Sequence, residues 1–419
     1  MPYDEHRRYS SVGQHAGSGL TREKRGGPVT PGANPIWGDD WEEVRSLWLL
    51  DPEVAHCNHG SFGAVPGSVL EAQNAFRLRS ATNTMRWFHR ELPGLVEEAR
   101  GQVAEFIGAE PDEVALVNNV SAGVSAVVGS LALKRGDEIL STDHAYGAVS
   151  WAMDRLAART GATRVVAEVP VDSDGEEVAA IFARHCSERT GLVLVDQVTS
   201  PTARRFPLDA IVRTAHDFNA PVLVDGAHAP GMLPLDMHSM GADFWTGNLH
   251  KWACAPAGTG ALWVAPEWRP RMLSLIVSWG EQDGFPVSFE RVGTDDLSAW
   301  LAAPKSLELL GNVGWDRIRK HNEDLVCWAQ ARVAEILGVP DSELRHDPGV
   351  SMATVPLPPG WADTKDQAQA IQDHMVTRGV EMAIGCWNGR GNIRPSAYAY
   401  NCPADYERLA LGVRDLMIS

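Results

Sequence analysis

Seven short runs of apolar, largely β-branched residues recur between positions 114 and 265: VALV (114–117), EILS (138–141), RVVAEV (164–169), LVLVD (192–196), PVLVD (221–225), DFWTG (243–247) and ALWVA (261–265). They are nearly continuous rather than alternating, as strands covered on both faces must be. Helical stretches such as SAGVSAVVGSLAL and GAVSWAMDRLAART separate the earlier ones, whereas the later ones leave no room for a long helix. This alternation predicts an α/β fold, a mostly parallel seven-stranded sheet with helices on both sides. Such sheets bind ligands beyond the carboxyl ends of their strands, so the loops after these runs are where chemistry is expected.

A chain of 419 residues exceeds one ordinary core, and its character changes along its length. Residues 1–40 are rich in Gly, Pro, Ser and Arg and have no period, which predicts a flexible arm whose cluster of Arg7, Arg8, Arg22, Lys24 and Arg25 is solvated charge. A joining segment over 41–65 starts with a short amphipathic helix at WEEVRSLWLL, and the large domain spans 66–299. Beyond 300 the pattern is α+β: helices at LAAPKSLELLG and DRIRKHNEDLVCWAQARVAEIL, short strands at MATVPL, VEMAI and NIRPSAY, and a last helix at ADYERLALGVRDLM. That predicts a smaller C-terminal domain over 300–419.

Charge narrows the partners. Thirty-seven basic against 54 acidic residues leave a net charge of −17, which repels nucleic-acid backbones. There is no apolar run of the ~18 residues needed to span a bilayer and no apolar stretch near the N-terminus of the kind a signal peptide requires. Cys57, Cys186, Cys254, Cys327, Cys386 and Cys402 are scattered without a CxxC pair, which reads as reduced thiols in the cytoplasm.

The most informative stretch is VLVDGAHAPG followed by DFWTGNLHKWACAPAGTGALWV. Asp225 ends one apolar strand, and a half-buried carboxylate there needs a cationic or protonated partner. Lys251 ends another, between His250 and Trp252; poor solvation lowers the pKa of such an amine and makes it nucleophilic. An amine that can condense with an aldehyde, paired with an acid for a ring nitrogen, is what pyridoxal 5′-phosphate requires. An N-cap role for Asp225 and a surface role for Lys251 are the bland alternatives, and the pairing on successive strand ends argues against both. Ser121, Ala122 and Gly123 follow a strand and open a helix, where N–H groups and a hydroxyl can meet a dianion; an ordinary N-cap is the competing reading.

NHGSFGAVP (58–66), DQVTSPT (196–202), VDGAHAPG (224–231), GNLHKW (247–252) and RPSAYAYN (394–401) resemble, in order, the isopenicillin N epimerase branch of the class-V aminotransferases, which are fold-type I pyridoxal-phosphate enzymes. The resemblance runs from about residue 42 to the C-terminus. It implies that Lys251 carries the cofactor, Asp225 faces its ring nitrogen, His228 lies near its phenolic oxygen, and Tyr146, or His144 if the alignment slides, stacks on its ring. Asn248 and His250 match phosphate-side residues, and Thr294 the threonine that reaches the phosphate from the other subunit of a homodimer with shared active sites. Ser200, or Thr199, is placed near the cofactor hydroxyl, and Arg394 matches the arginine for the substrate α-carboxylate, a task a planar fork suits. Asn58, His59 and Ser61 are expected to line the substrate mouth. Two departures from the family pattern stand out: Gln197, expected to alter the ring environment, and Pro395, expected to stiffen the strand beside Arg394.

The branch holds epimerases, carbon–sulfur lyases and aminotransferase-like enzymes, with roles in secondary metabolism and antibiotic biosynthesis. Elimination of a stabilised thiolate needs no second acid, so the expected reaction is C–S cleavage of a cysteine-derived thioether by a lyase. Epimerisation, with Tyr146 as the opposite-face acid, stands as the alternative, followed by decarboxylation-coupled oxidative deamination or transamination. The desulfurase loop is longer than IGCWNGRGNIR, so Cys386 is expected to be a packed thiol rather than a persulfide nucleophile. Asp143, His144, Asp225, His228 and His250 lack HxH or HExxH spacing, and no metal is expected.

Overall fold

A computed structural model describes residues 41–418, all of which lie within one compact unit. The arm over 1–40, with its basic cluster, lies outside the described residues. In chain order the strands are β1 (Ala55–His56), β2 (Val114–Val117), β3 (Glu138–Thr142), β4 (Thr163–Ala167), β5 (Thr190–Asp196), β6 (Val222–Gly226), β7 (Phe244–Asn248), β8 (Gly260–Val264), β9 (Val355–Pro356), β10 (Val380–Glu381), β11 (Ala383–Trp387) and β12 (Arg390–Arg394).

Seven of them form one sheet in the order β2-β8-β7-β6-β5-β3-β4. The neighbours from β7 to β4 pair parallel, and β8 runs antiparallel to both β2 and β7. Both faces are dry, as the continuous apolar runs require. Val193, Val195, Val222, Val224 and Trp245 enter one core, while Leu192, Leu194, Leu223, Phe244 and Leu262 enter another on the opposite face. Each buried side chain of this size contributes about 1.5–3 kcal/mol.

Helices Val120–Ser130, Gly147–Thr160 and Gly175–His185 follow the early strands. A ten-residue helix, Leu208–Asp217, fits between β5 and β6, where no long helix was expected. Leu208, Ile211, Val212 and Ala215 are its buried face; the i, i+3, i+4, i+7 spacing was present, but it sits close behind the loop that follows LVLVD.

A separate core gathers the C-terminal helices Trp315–Leu337, Lys365–Val376 and Pro403–Ile418 with β9, β10 and β12. The strand at MATVPL shrinks to Val355–Pro356, and VEMAI divides into β10 and the first part of β11. β1 pairs parallel with β10, so the joining segment is stitched to this layer.

Candidate active site

The carboxyl ends of β5, β6 and β7 open into a cavity of about 300 Å³ lined by Ser61, Phe62, Asn119, Ser121, Tyr146, Asp196, Ser200, Asp225, His228, Asn248, His250 and Lys251 among others. Local backbone geometry brings Lys251 here. The Gly63 N–H donates to the His250 carbonyl at 3.1 Å, and a Cβ on Gly63 would lie 2.1 Å from the Lys251 carbonyl oxygen. Only a glycine lets the NHGSFG segment pass this close to the lysine turn.

Lys251 Nζ lies 3.3 Å from His228 Nε2, and the indole N–H of Trp252 donates to His228 Nδ1 at 3.2 Å. An indole nitrogen can only donate, so Nδ1 is the acceptor and the ring proton sits on Nε2. The N–H at Nε2 then points to the lone pair of a neutral Lys251 amine. Burial, then the nearby Arg394 charge, pull the lysine pKa down to about 8 against the opposing pull of Asp225. Burial, then Lys251 and Arg394, push His228 well below the usual imidazole range.

Asp225 is buried, and its Oδ1 accepts from the Ala227 N–H at 2.9 Å. Desolvation raises its pKa against the pull of that N–H and of Lys251. Directly across the sheet, in register, stands Asp196, also buried and lining the cavity. The sequence reading passed over Asp196, although LVLVD and PVLVD end in the same way.

At the helix Val120–Ser130 the cap is Asn119, whose Oδ1 accepts from Ala122 N–H at 3.0 Å and whose carbonyl accepts from Gly123 N–H at 3.1 Å. Asn248 Oδ1 accepts from Val120 N–H at 2.9 Å. The expected trio of donors is therefore corrected. Ser121 faces the cavity, whereas the N–H groups of Ala122 and Gly123 are used internally, and Gly123 has a packing role. A Cβ on it would stand 2.2 Å from Thr246 Oγ1. His250 donates from Nδ1 to the Thr259 carbonyl at 2.9 Å, which leaves Nε2 for the cavity.

Arg394 is buried without a carboxylate within ion-pair distance among the described residues. Its NH1 donates to the Ser200 carbonyl, its NH1 and NH2 reach the hydroxyls of Ser200 and Ser61 at 3.1 Å each, and Nε has no partner. Burial lowers its pKa to about 10. A buried guanidinium held only by neutral oxygens is a ready anion site.

Other expected residues fall elsewhere. His59 is buried behind the lysine turn, stacked on Tyr398 at 3.9 Å, bonded to Tyr400 Oη at 2.9 Å and to the Lys251 carbonyl at 3.1 Å. It braces the site instead of lining its mouth, and Asn58 serves through Ser61, whose hydroxyl it accepts at 2.8 Å. His144 is fully buried against Trp387 and bonded to Thr202 and the Val169 carbonyl, while Tyr146 lines the cavity. Thr199 is tied to Thr202 at 2.7 Å, and Ser200 is the residue at the cavity. Gln197, next to Asp196, lies on the opposite face, where its Oε1 accepts from the Trp245 indole N–H at 2.9 Å, and it is not among the cavity-lining residues. The Pro395 carbonyl accepts from Ala353 N–H at 3.1 Å, tying this turn to the segment before β9. Thr294 is exposed and outside its own chain's cavity. Cys386 Sγ rests 3.0 Å from the Asp363 carbonyl, away from the lining residues. Among the described residues no group of three or more His, Cys, Asp or Glu could hold a metal ion, and no helix is long and apolar enough to cross a membrane.

A family model described as aminotransferase class-V matches residues 63–409. The chain is 33% identical over 394 residues to "Isopenicillin N epimerase" of Streptomyces clavuligerus, covering 88% of this chain and 97% of that one. It is 31% identical over 400 residues to "Probable L-cysteine desulfhydrase, chloroplastic" of Arabidopsis thaliana, covering 88% and 84%. The apo structure of a cysteine desulfurase from Thermococcus onnurineus NA1 matches with a TM-score of 0.75 at 21% identity over 90% of this chain and 97% of that one, which identifies the architecture as fold type I.

Proposed function

The chain belongs to the class-V aminotransferase family, and from that premise we propose that it is a pyridoxal 5′-phosphate enzyme that cleaves the C–S bond of a cysteine-derived thioether by β-elimination. The residues present fit the cofactor: a half-buried amine with a depressed pKa, a buried carboxylate near it, and a helix start with one open serine, all on one cavity. Lys251 would attach it, and Asp225 would hold the proton of its ring nitrogen. Ser121, Asn248 and His250 would meet its phosphate, with Thr294 from a second copy. His228 and Ser200 would serve its phenolic oxygen, and Tyr146 would cover its ring. When bound, the cofactor supplies an aldehyde that takes up the substrate amine and a protonated ring that accepts the electron pair left at the α-carbon.

The chain's own groups do the rest. Arg394, turning from its serines, binds the substrate α-carboxylate with two parallel N–H bonds. Lys251, whose Nζ gives up its proton around pH 8, removes the α-proton while His228 orients the amine. The sulfur leaves as a thiolate, which requires no strong acid. Pyruvate and ammonia are the remaining products after hydrolysis.

The observation that carries this reading is the concentration of the proton-transfer machinery around one amine. Tyr146, the opposite-face candidate, is 51% exposed on this chain, whereas His228 is buried with its Nε2 3.3 Å from the lysine. Tyr146 also supports epimerisation as the second reading, because it lines the cavity. S-substituted cysteines should release pyruvate and thiol in equal amounts, and borohydride should fix the cofactor on Lys251. Inversion of an α-stereocentre without pyruvate or thiol would reverse the order of the two readings.

A further inference from the structure

On the floor of the cavity Asp196 and Asp225 are register partners on adjacent parallel strands, so their side chains leave the same face about 5 Å apart. Both are buried and both line the cavity. Their surroundings differ. Asp225 has the Ala227 N–H on Oδ1 and the Lys251 charge nearby. Asp196 Oδ2 has no hydrogen-bond partner. Two buried carboxylates this near each other cannot both ionise cheaply, and among the described residues the only donor that favours a charged Asp196 is its own backbone N–H, which leaves Oδ2 with nothing to gain. The other titratable groups facing the pair are Lys251, with Arg394 beyond it, and His228, which burial keeps neutral.

We propose that Asp196 and Asp225 act as a pair that holds one proton between them, with Asp196 the neutral acid that donates its hydroxyl to Asp225 and so positions that carboxylate for the ring nitrogen of a bound cofactor. The role given to Asp225 rests on the cofactor reading above; the shared proton does not. Burial and then the neighbouring Asp225 raise the Asp196 pKa against the pull of its own backbone N–H, in agreement with this assignment. Asp196 is a positioning residue: it acts through Asp225, and the site faces its ligand with one negative charge instead of two. A second full charge would overstabilise a protonated ring and a protonated Lys251 alike.

Infrared difference spectra of the full chain without cofactor, wild type against Asp196→Asn, test the pair directly. At neutral pH the wild type should show a protonated-carboxyl band that Asp196→Asn lacks, and heavy water should shift it. Because an amide can donate as the acid does, Asp196→Asn should keep pyridoxal phosphate affinity within about threefold, whereas Asp225→Asn should lose on the order of 100-fold. Should Asp196→Asn not fold, Asp196→Ser, also a hydroxyl donor, is read in the same way. Absence of the acid band from the wild type, or an Asp196→Asn loss as large as that of Asp225→Asn, overturns the pair. Failure of the wild type to retain pyridoxal phosphate overturns the cofactor reading instead, since the infrared measurement is made without it.

Discussion

Trp252 holds His228 by a single N–H bond of 3.2 Å to Nδ1, and that bond decides where the imidazole proton lies. The two residues come from different turns, one after β6 and one after β7. Their contact places an N–H against the Lys251 amine 3.3 Å away.

Replacing Trp252 with Phe removes the donor and frees His228 to take either tautomer. Activity is expected to fall about tenfold, the cost of one buried hydrogen bond. Nitrogen NMR of the imidazole gives the specific check: the wild type should carry its proton on Nε2, and Trp252→Phe should show a mixture. A wild-type ring protonated on Nδ1 would contradict the geometry.

Lys251, lowered to about 8 from the ordinary 10.5, should react with added pyridoxal phosphate at a rate that climbs with pH and levels near 8. A free lysine would keep climbing toward 10.5. The sign for stability follows from the same shift. Between these values the unfolded amine holds a proton that the native one has lost, so this group's contribution to stability rises with pH across that window. Lys251→Ala should remove the covalent attachment and reduce turnover by about 10³-fold or more. Stopped-flow absorbance and pH-dependent melting are the measurements.

Arg394→Lys keeps the charge but loses the fork. KM for an amino acid substrate is expected to rise about 10- to 100-fold with a smaller change in kcat, because the lost contact is made to the unreacting carboxylate. An unchanged KM would remove Arg394 from substrate binding. Steady-state kinetics on one thioether series separates the two parameters.

The segment around SLIVSW (274–279) leaves Val277 and Trp279 78% and 87% exposed, beside Leu275 and Ile276. An apolar run this open is expected to be covered by a second copy of the chain. Val277→Asp with Trp279→Glu should shift the protein to monomer in analytical ultracentrifugation. If Thr294 reaches the partner's site, activity should fall in step with dimer content, and the monomer should be inactive.

The strand–helix alternation, the placement of Asp225 at a strand end and Ser121 near a helix start were legible in the chain, because hydrophobic period and strand termination are local properties; Lys251, expected to end a strand, lies instead in the turn after β7. Side-chain parity was not. Asp196 and Gln197 are consecutive and take opposite faces, one lining the cavity and the other accepting from Trp245, and only the packing of the sheet decides which face carries the cavity. His59 looked like a mouth residue by motif, but its ring is captured by Tyr398 and Tyr400, more than three hundred positions away. The sequence by itself determined which segments of the large sheet become strands and that a carboxylate ends one of them while an amine follows another in the next turn, since burial of apolar runs leaves little choice. The tertiary structure alone decided which polar atoms meet, because a hydrogen bond depends on ångström-scale approach between elements that the chain order does not record.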